Sequence, residues 1–181
     1  MRSDWDPVVL SRSIPATTVP QGERVELAEG DEVEVFQQLG NSITVLTQMG
    51  TLLRVDGADG DALGLEKVTV PNADGSEPYS PEHVIGALRG VYDPEIPVNI
   101  VDLGLVYRCD EVPLEGGGRR IEIDMTMTAP GCGMGDVLMA DAERAVGAVP
   151  GVDEVDVNLV WSPPWDMSRM SEETRLELGL L

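Results

Sequence analysis

One histidine, one lysine and two cysteines are all that this chain of 181 residues offers of three chemistry-bearing residue types. With His83 alone no multi-histidine metal site can form, and Ser-His-Asp or Cys-His catalysis would have to use that one ring. Lys67 is followed by Val68-Thr69-Val70, a strand-like context rather than the glycine-rich loop of a phosphate site. Basic residues number 12 against 33 acidic ones, a formal charge of −21. That balance argues against nucleic acid and against anionic membrane surfaces as partners, because both are bound through Lys and Arg. Aromatics make up only 4% of the chain, so a core must be built from Val, Leu, Ile and Met. Long apolar runs are missing too. Asp4, Asp6, Arg12 and Pro15 interrupt the first 20 residues, and no later stretch approaches the roughly 18 apolar residues of a membrane span. A cytoplasmic location is the expectation. Cys109 and Cys132, without a CxxC pair, suit a reducing compartment better than a disulfide framework, although one bridge stays open on sequence alone.

What is present, at 42% hydrophobic and 25% charged residues, is the composition of a soluble globular protein with one medium or two small domains. Residues 1–20, with Pro7, Pro15 and Pro20 and no periodicity, predict an extended N-terminal arm. Residues 21–70 alternate in short segments (Val25 and Leu27, Val33 and Val35, Ile43 and Val45, Leu53 and Val55) with turn signals between them, which predicts a small antiparallel β module. Residues 71–80, rich in Pro, Gly and polar side chains, read as a linker.

From residue 81 to 165 the pattern predicts an α+β domain of order αββαβ in two layers. Ser80-Pro81-Glu82 starts the first helix with an N-cap hydroxyl, a proline in the first turn and a carboxylate at the positive end. Strands are expected over 105–112 and 120–128, then a helix to about Ala148 and a third strand through Val155, Val157 and Leu159. The second strand alternates cleanly, with Ile121, Ile123, Met125 and Met127 on a core face and Glu122, Asp124, Thr126 and Thr128 on the other. Residues 166–181 predict a helical tail starting at Ser171.

Chemistry concentrates at one turn. Cys132 stands between Gly131 and Gly133 where a strand gives way to a helix, and a helix N-terminus stabilises a thiolate that attacks an electrophile or binds a metal. Packing in a tight turn is the bland alternative, since free cysteines are commonly buried. Asp93 and Glu95 are held between Pro94 and Pro97, so two carboxylates occupy fixed positions that suit metal ligation or orientation of a base, or simply loop solvation. Thr126 and Thr128 either line a pocket beside Cys132 or lie exposed on their strand. Cys109, on a strand face with Leu105 and Tyr107, reads as structural, and His83, beside Val84 and Ile85 in the first helix, as a solvent-edge residue. An iron–sulfur cluster normally takes four cysteine ligands and one chain supplies at most two, so any cluster would be incompletely ligated by one chain, shared across a homodimer, or labile. No Cys/His spacing makes a closed zinc site.

Three stretches carry more than periodicity. Asp93-Pro94-Glu95-Ile96-Pro97, Val101-Asp102-Leu103-Gly104-Leu105-Val106-Tyr107 and Met125-Thr126-Met127-Thr128-Ala129-Pro130-Gly131-Cys132 together resemble a domain family once labelled as of unknown function. It includes the cytosolic iron–sulfur targeting subunit and the phenylacetate-pathway protein PaaD. Gln37-Gln38-Leu39-Gly40-Asn41-Ser42 and Val160-Trp161-Ser162-Pro163-Pro164-Trp165 make the likeness to the SufT-like maturation proteins of the bacterial SUF system closer still. The chain departs from the pattern at Gly133, where many members have proline. The resemblance implies an iron–sulfur-assembly-like domain and a non-enzymatic auxiliary role in maturing or delivering clusters. It implies importance for Asp93, Glu95 and Cys132, with Thr126 and Thr128 at the same site. A labile iron–sulfur cluster or iron, none of it tightly bound, would be the cargo, and SUF assembly proteins and client apoproteins the partners. A thiol-dependent enzyme or redox protein using Cys132, and an acidic protein–protein adaptor with a structural cysteine, remain as alternatives. The adaptor draws on charge, since residues 1–70 carry −7 and residues 71–181 carry −14.

Overall fold

The structure, a computed structural model, describes residues 5–131 and 133–180. The chain forms two compact units, Met1–Thr69 and Val70–Leu181.

In the first unit, β1 (Val8–Val9), β2 (Ile14–Thr18), β3 (Arg24–Leu27), β4 (Glu32–Leu39), β5 (Ser42–Thr47) and β6 (Leu52–Asp56) form one sheet in the order β1-β4-β5-β6-β2-β3. Every pairing is antiparallel. A 3-10 helix, Gly57–Leu63, follows, and Ala62 and Leu63 join Leu10, Ile14, Ile43, Val45 and Val55 in a buried cluster. The expected N-terminal arm over 1–20 is corrected here, because residues 8–9 and 14–18 are strands of that sheet. Proline concealed the second of them. Thr18 N–H donates to Glu23 O on the β3 side and Val19 N–H to Leu52 O on the β6 side. Odd-numbered nitrogens of β2 therefore face β6, and Pro15 stands before that ladder begins at Thr17. Its missing N–H costs no bond.

The second unit runs α1 (Pro81–Leu88), β7 (Val106–Pro113), β8 (Arg119–Met125), α2 (Gly135–Gly147), β9 (Glu154–Leu159) and α3 (Glu172–Glu177). The α+β order αββαβ is present as expected. β7 and β8 form an antiparallel hairpin, whereas α2 carries the chain across to β9, which lies parallel to β8. Helices cover one face: Val84, Ala87 and Leu88 of α1 and Leu138, Ala142 and Val146 of α2 bury against Ile121, Ile123 and Met125 of β8. Ser80 caps α1 by accepting the Glu82 N–H, and Ser171 caps α3 by accepting that of Thr174. Among the described residues no helix is long and apolar enough to cross a membrane.

The stretch 71–80, expected as a linker, is a folded part of this unit. Asn72 exchanges two 2.9 Å hydrogen bonds with the Glu77 main chain, and the Arg119 guanidinium lies 3.6 Å from the centre of the Tyr79 ring. Polar and proline content marked a chain without periodicity, but it did not show how that chain is tied down.

Candidate functional site

Asp93 is buried, 3% exposed, in a loop that closes on itself. Its N–H donates to Val98 O, and Ile100 N–H returns to Val91 O. Pro94 has no N–H to offer, so the Asp93 Oδ1 accepts from the next two residues, Glu95 N–H at 2.9 Å and Ile96 N–H at 3.0 Å. The carboxylate thus builds the loop that presents Glu95, which is exposed. Asn99 repeats the device, its Oδ1 accepting from Val101 and Asp102 N–H while its amide donates to Asp102 Oδ2 at 2.7 Å.

Two backbone bonds carry this loop to the end of the central strand. Leu105 N–H donates to Ile100 O, and Thr126 N–H donates to Leu105 O at 2.8 Å. Asp93 and Thr126, 33 positions apart, are in this way joined through a short main-chain relay. Thr126 is not on the open face that the strand pattern predicts. β8 ends at Met125, alternation ends with it, and Met125, Thr126 and Met127 are buried in succession. The Thr126 hydroxyl is buried without a hydrogen-bond partner among the described residues. Leaving such a group unpaired costs about 1–3 kcal/mol. Thr128 is half-buried, and Pro130 and Gly131 are exposed. Gly131 adopts φ +77°, with nothing within 4 Å of the place a Cβ would take. Cys132 lies outside the described residues. Beyond it Met134 is buried and α2 begins at Gly135 without any side-chain cap on its N-terminus, with Asp136 in the first turn.

The remaining candidates separate from this site. Cys109 is half-buried opposite Ile123, where burial first and Asp110 second push its thiol pKa up and make it a poor nucleophile. His83 sits at the edge of α1 with Nε2 3.2 Å from a Glu77 carboxylate oxygen. On the sheet face turned away from the helices Arg108 pairs with Asp124 at 2.8 Å and Glu122 at 3.0 Å, which holds both carboxyls below their ordinary range. Among the described residues no three His, Cys, Asp or Glu side chains are placed to hold a metal ion.

One part of the site has no counterpart in the sequence expectations. The segment after β9 folds back on residues 102–107. Trp165 indole N–H donates to Leu103 O at 2.7 Å, Tyr107 O–H to Pro163 O at 2.8 Å, and Ser171 N–H to Asp102 O at 3.0 Å. The Arg169 guanidinium stands 4.4 Å from the Tyr107 ring centre. Gly104, at φ +73°, passes so near that an added Cβ would lie 2.1 Å from Arg169 O. Glycine inside the Val101–Tyr107 motif was the available signal, since a left-handed position in close contact excludes other residues.

Fold and site together define a class: an α+β domain in which a loop built on a buried carboxylate, Asp93, is tied by main-chain bonds to the end of the central strand at Thr126. The family described as "Iron-sulfur cluster assembly protein" matches residues 81–157, from α1 into β9. A "Fe-S protein maturation auxiliary factor" of Porphyromonas gingivalis is 44% identical over 100 residues, which cover 55% of this chain and 91% of that protein. YitW of Bacillus subtilis, named likewise, is 37% identical over 55% of this chain and 93% of its own. SufT of Staphylococcus aureus, under the same name, is 39% identical over 50% of this chain and 98% of its own. The chain belongs to the iron–sulfur cluster assembly protein family.

Proposed function

We propose that this chain is a non-enzymatic auxiliary factor of iron–sulfur cluster maturation, working in the cytoplasm with SUF assembly proteins. In this reading it receives a labile cluster or iron and passes it to client apoproteins. Cys132 makes the transient sulfur contact, while Asp93 and Glu95 shape its surroundings. The observation that carries the reading is kinship with three relatives named as maturation auxiliary factors, each matched over nine-tenths or more of its own length. The ligand inventory supports it: two cysteines and one histidine make a poor permanent holder of a cluster and a suitable temporary one.

The test is complementation of a deletion strain, reading the activity of cluster-dependent enzymes. Wild type restores them and Cys132→Ala does not, while both proteins accumulate to equal levels. Anaerobically reconstituted protein that never gains cluster absorbance, together with full rescue by Cys132→Ala, overturns the proposal.

A further inference from the structure

We infer that the outer edge of β9 is a docking edge for an extended segment of another protein, one in which apolar and basic residues alternate. The inference goes beyond the maturation reading and does not depend on what the protein carries.

In the order β7-β8-β9 the sheet of the second unit ends on β9. Val160 N–H donates to Met125 O, so the even-numbered main-chain groups along β9 face β8. The N–H and C=O groups of Val155, Val157 and Leu159 therefore point outward, and among the described residues none of them has a main-chain partner. An open edge invites a further strand, and proteins blunt such edges with bulges, prolines or lysines. The opposite edge is treated in that way, since β7 has a bulge between Val106 and Arg108 and ends at Pro113. β9 has none of these devices. It pairs with β8 along its whole length without a shift in register, and it contains no proline and no basic residue.

Side chains decide which strand fits. On the helix side Val155, Val157 and Leu159 are only half-buried, although α2 lies along them: a Cβ on Gly147 would stand 3.9 Å from Val155 Cγ2, and one on Gly135 3.7 Å from Leu159 Cδ2. Apolar residues of a fourth strand, set opposite these three, complete their burial. On the other side Glu154 and Asp156 are exposed. The Arg120 guanidinium comes no nearer to Glu154 than 3.9 Å, and among the described residues no cation pairs with Asp156. Like charges set opposite one another destabilise a strand pair, and opposite charges stabilise it. The two carboxylates therefore resist an acidic strand and accept a basic one. A second copy of this chain is a poor occupant on the same ground, because each copy brings a net charge of −21. Main-chain groups supply the affinity of this edge and the carboxylates supply its selectivity.

Two variants test it. Val157→Pro removes one outward N–H and leaves the β8 ladder whole, because that nitrogen does not face β8. Asp156→Lys reverses the charge of an exposed side chain. The probe is a short synthetic peptide of alternating valine and lysine, titrated calorimetrically into the full chain, with a control peptide that carries the same residues in two blocks. NMR amide exchange reads the edge directly. The alternating peptide should bind and slow exchange at Val155, Val157 and Leu159, while the amides of Asp156 and Asn158, already bonded to β8, change little. Val157→Pro should weaken binding about tenfold, the factor one hydrogen bond is worth. Asp156→Lys should weaken it about fivefold with melting unchanged, and it decides the matter if Val157→Pro melts early. Equal binding of the block peptide without protection of the three amides shows charge attraction alone and overturns the inference. Binding that both variants leave unchanged does the same. A wild-type dimer in sedimentation that Val157→Pro dissolves gives the edge to a second copy, and overturns it as well.

Discussion

The indole N–H of Trp165 donates to the main-chain carbonyl of Leu103 across 2.7 Å, joining residues 62 positions apart. With Ser171 N–H on Asp102 O it braces the segment whose next residue but one, Leu105, anchors Thr126. Trp165→Phe keeps most of the packing and strands a carbonyl. A loss of about 1–2 kcal/mol in urea denaturation is expected, the range for one broken bond with its partner left behind. A change below about 0.3 kcal/mol would show that the brace carries no weight.

Gly104 tests the same brace from the other side. Alanine there must adopt φ near +73° and place its Cβ 2.1 Å from Arg169 O, so the strap has to move. Gly104→Ala should lose at least about 2 kcal/mol, from a strained backbone and a displaced contact together. Limited proteolysis should then cut first within residues 163–171. Protection there equal to wild type would contradict the close approach.

Asp93 and Glu95 should come apart on mutation. Asp93→Ala leaves two N–H groups without their buried acceptor and should cost about 2–3 kcal/mol, as for hydrogen bonds to charged groups. Asp93→Asn keeps one carbonyl oxygen for them and should cost less. Glu95 is exposed, so Glu95→Ala should stay within about 0.5 kcal/mol. If Glu95 takes part in the proposed function, that variant fails in client maturation while remaining fully folded.

Acid should weaken the second unit through its surface pairs. Glu122 and Asp124 beside Arg108, and Glu111 beside Arg119, titrate lower in the folded chain than in the unfolded one. A depressed carboxyl contributes stability above its unfolded pKa and loses it as pH falls through the folded value, that is, below about pH 4. Relief of the −21 net charge acts in the opposite direction over the same range. The difference between wild type and Arg108→Met isolates the pairs: melting temperatures should differ at pH 6, and the gap should narrow progressively as pH falls below about 4. Parallel curves would refute the assignment.

Where side-chain alternation follows backbone regularity, the sequence was legible. Ile121, Ile123 and Met125 alternate and are buried, and Ser80 caps the helix its neighbours announce. Thr126 misled because alternation continues on paper beyond the point where β8 ends at Met125. β2 was hidden by Pro15, which reads as a breaker unless the direction of its nitrogen is known. The brace over residues 102–107 was illegible for a different reason. Its bonds run from Trp165, Tyr107 and Ser171 to main-chain atoms, and local periodicity has nothing to say about carbonyls met 50 or more residues later.

That brace also has a bearing on synthesis. Chains emerge N-terminus first at about 5–20 residues per second, so the thiol turn leaves the ribosome seconds before Trp165 and Ser171 do. During that interval the carbonyls of Asp102 and Leu103 await their donors. The strap therefore completes the unit late: until residues 163–171 clear the exit tunnel, the segment 102–107 lacks the donors of Trp165 and Ser171 that brace it in the finished fold.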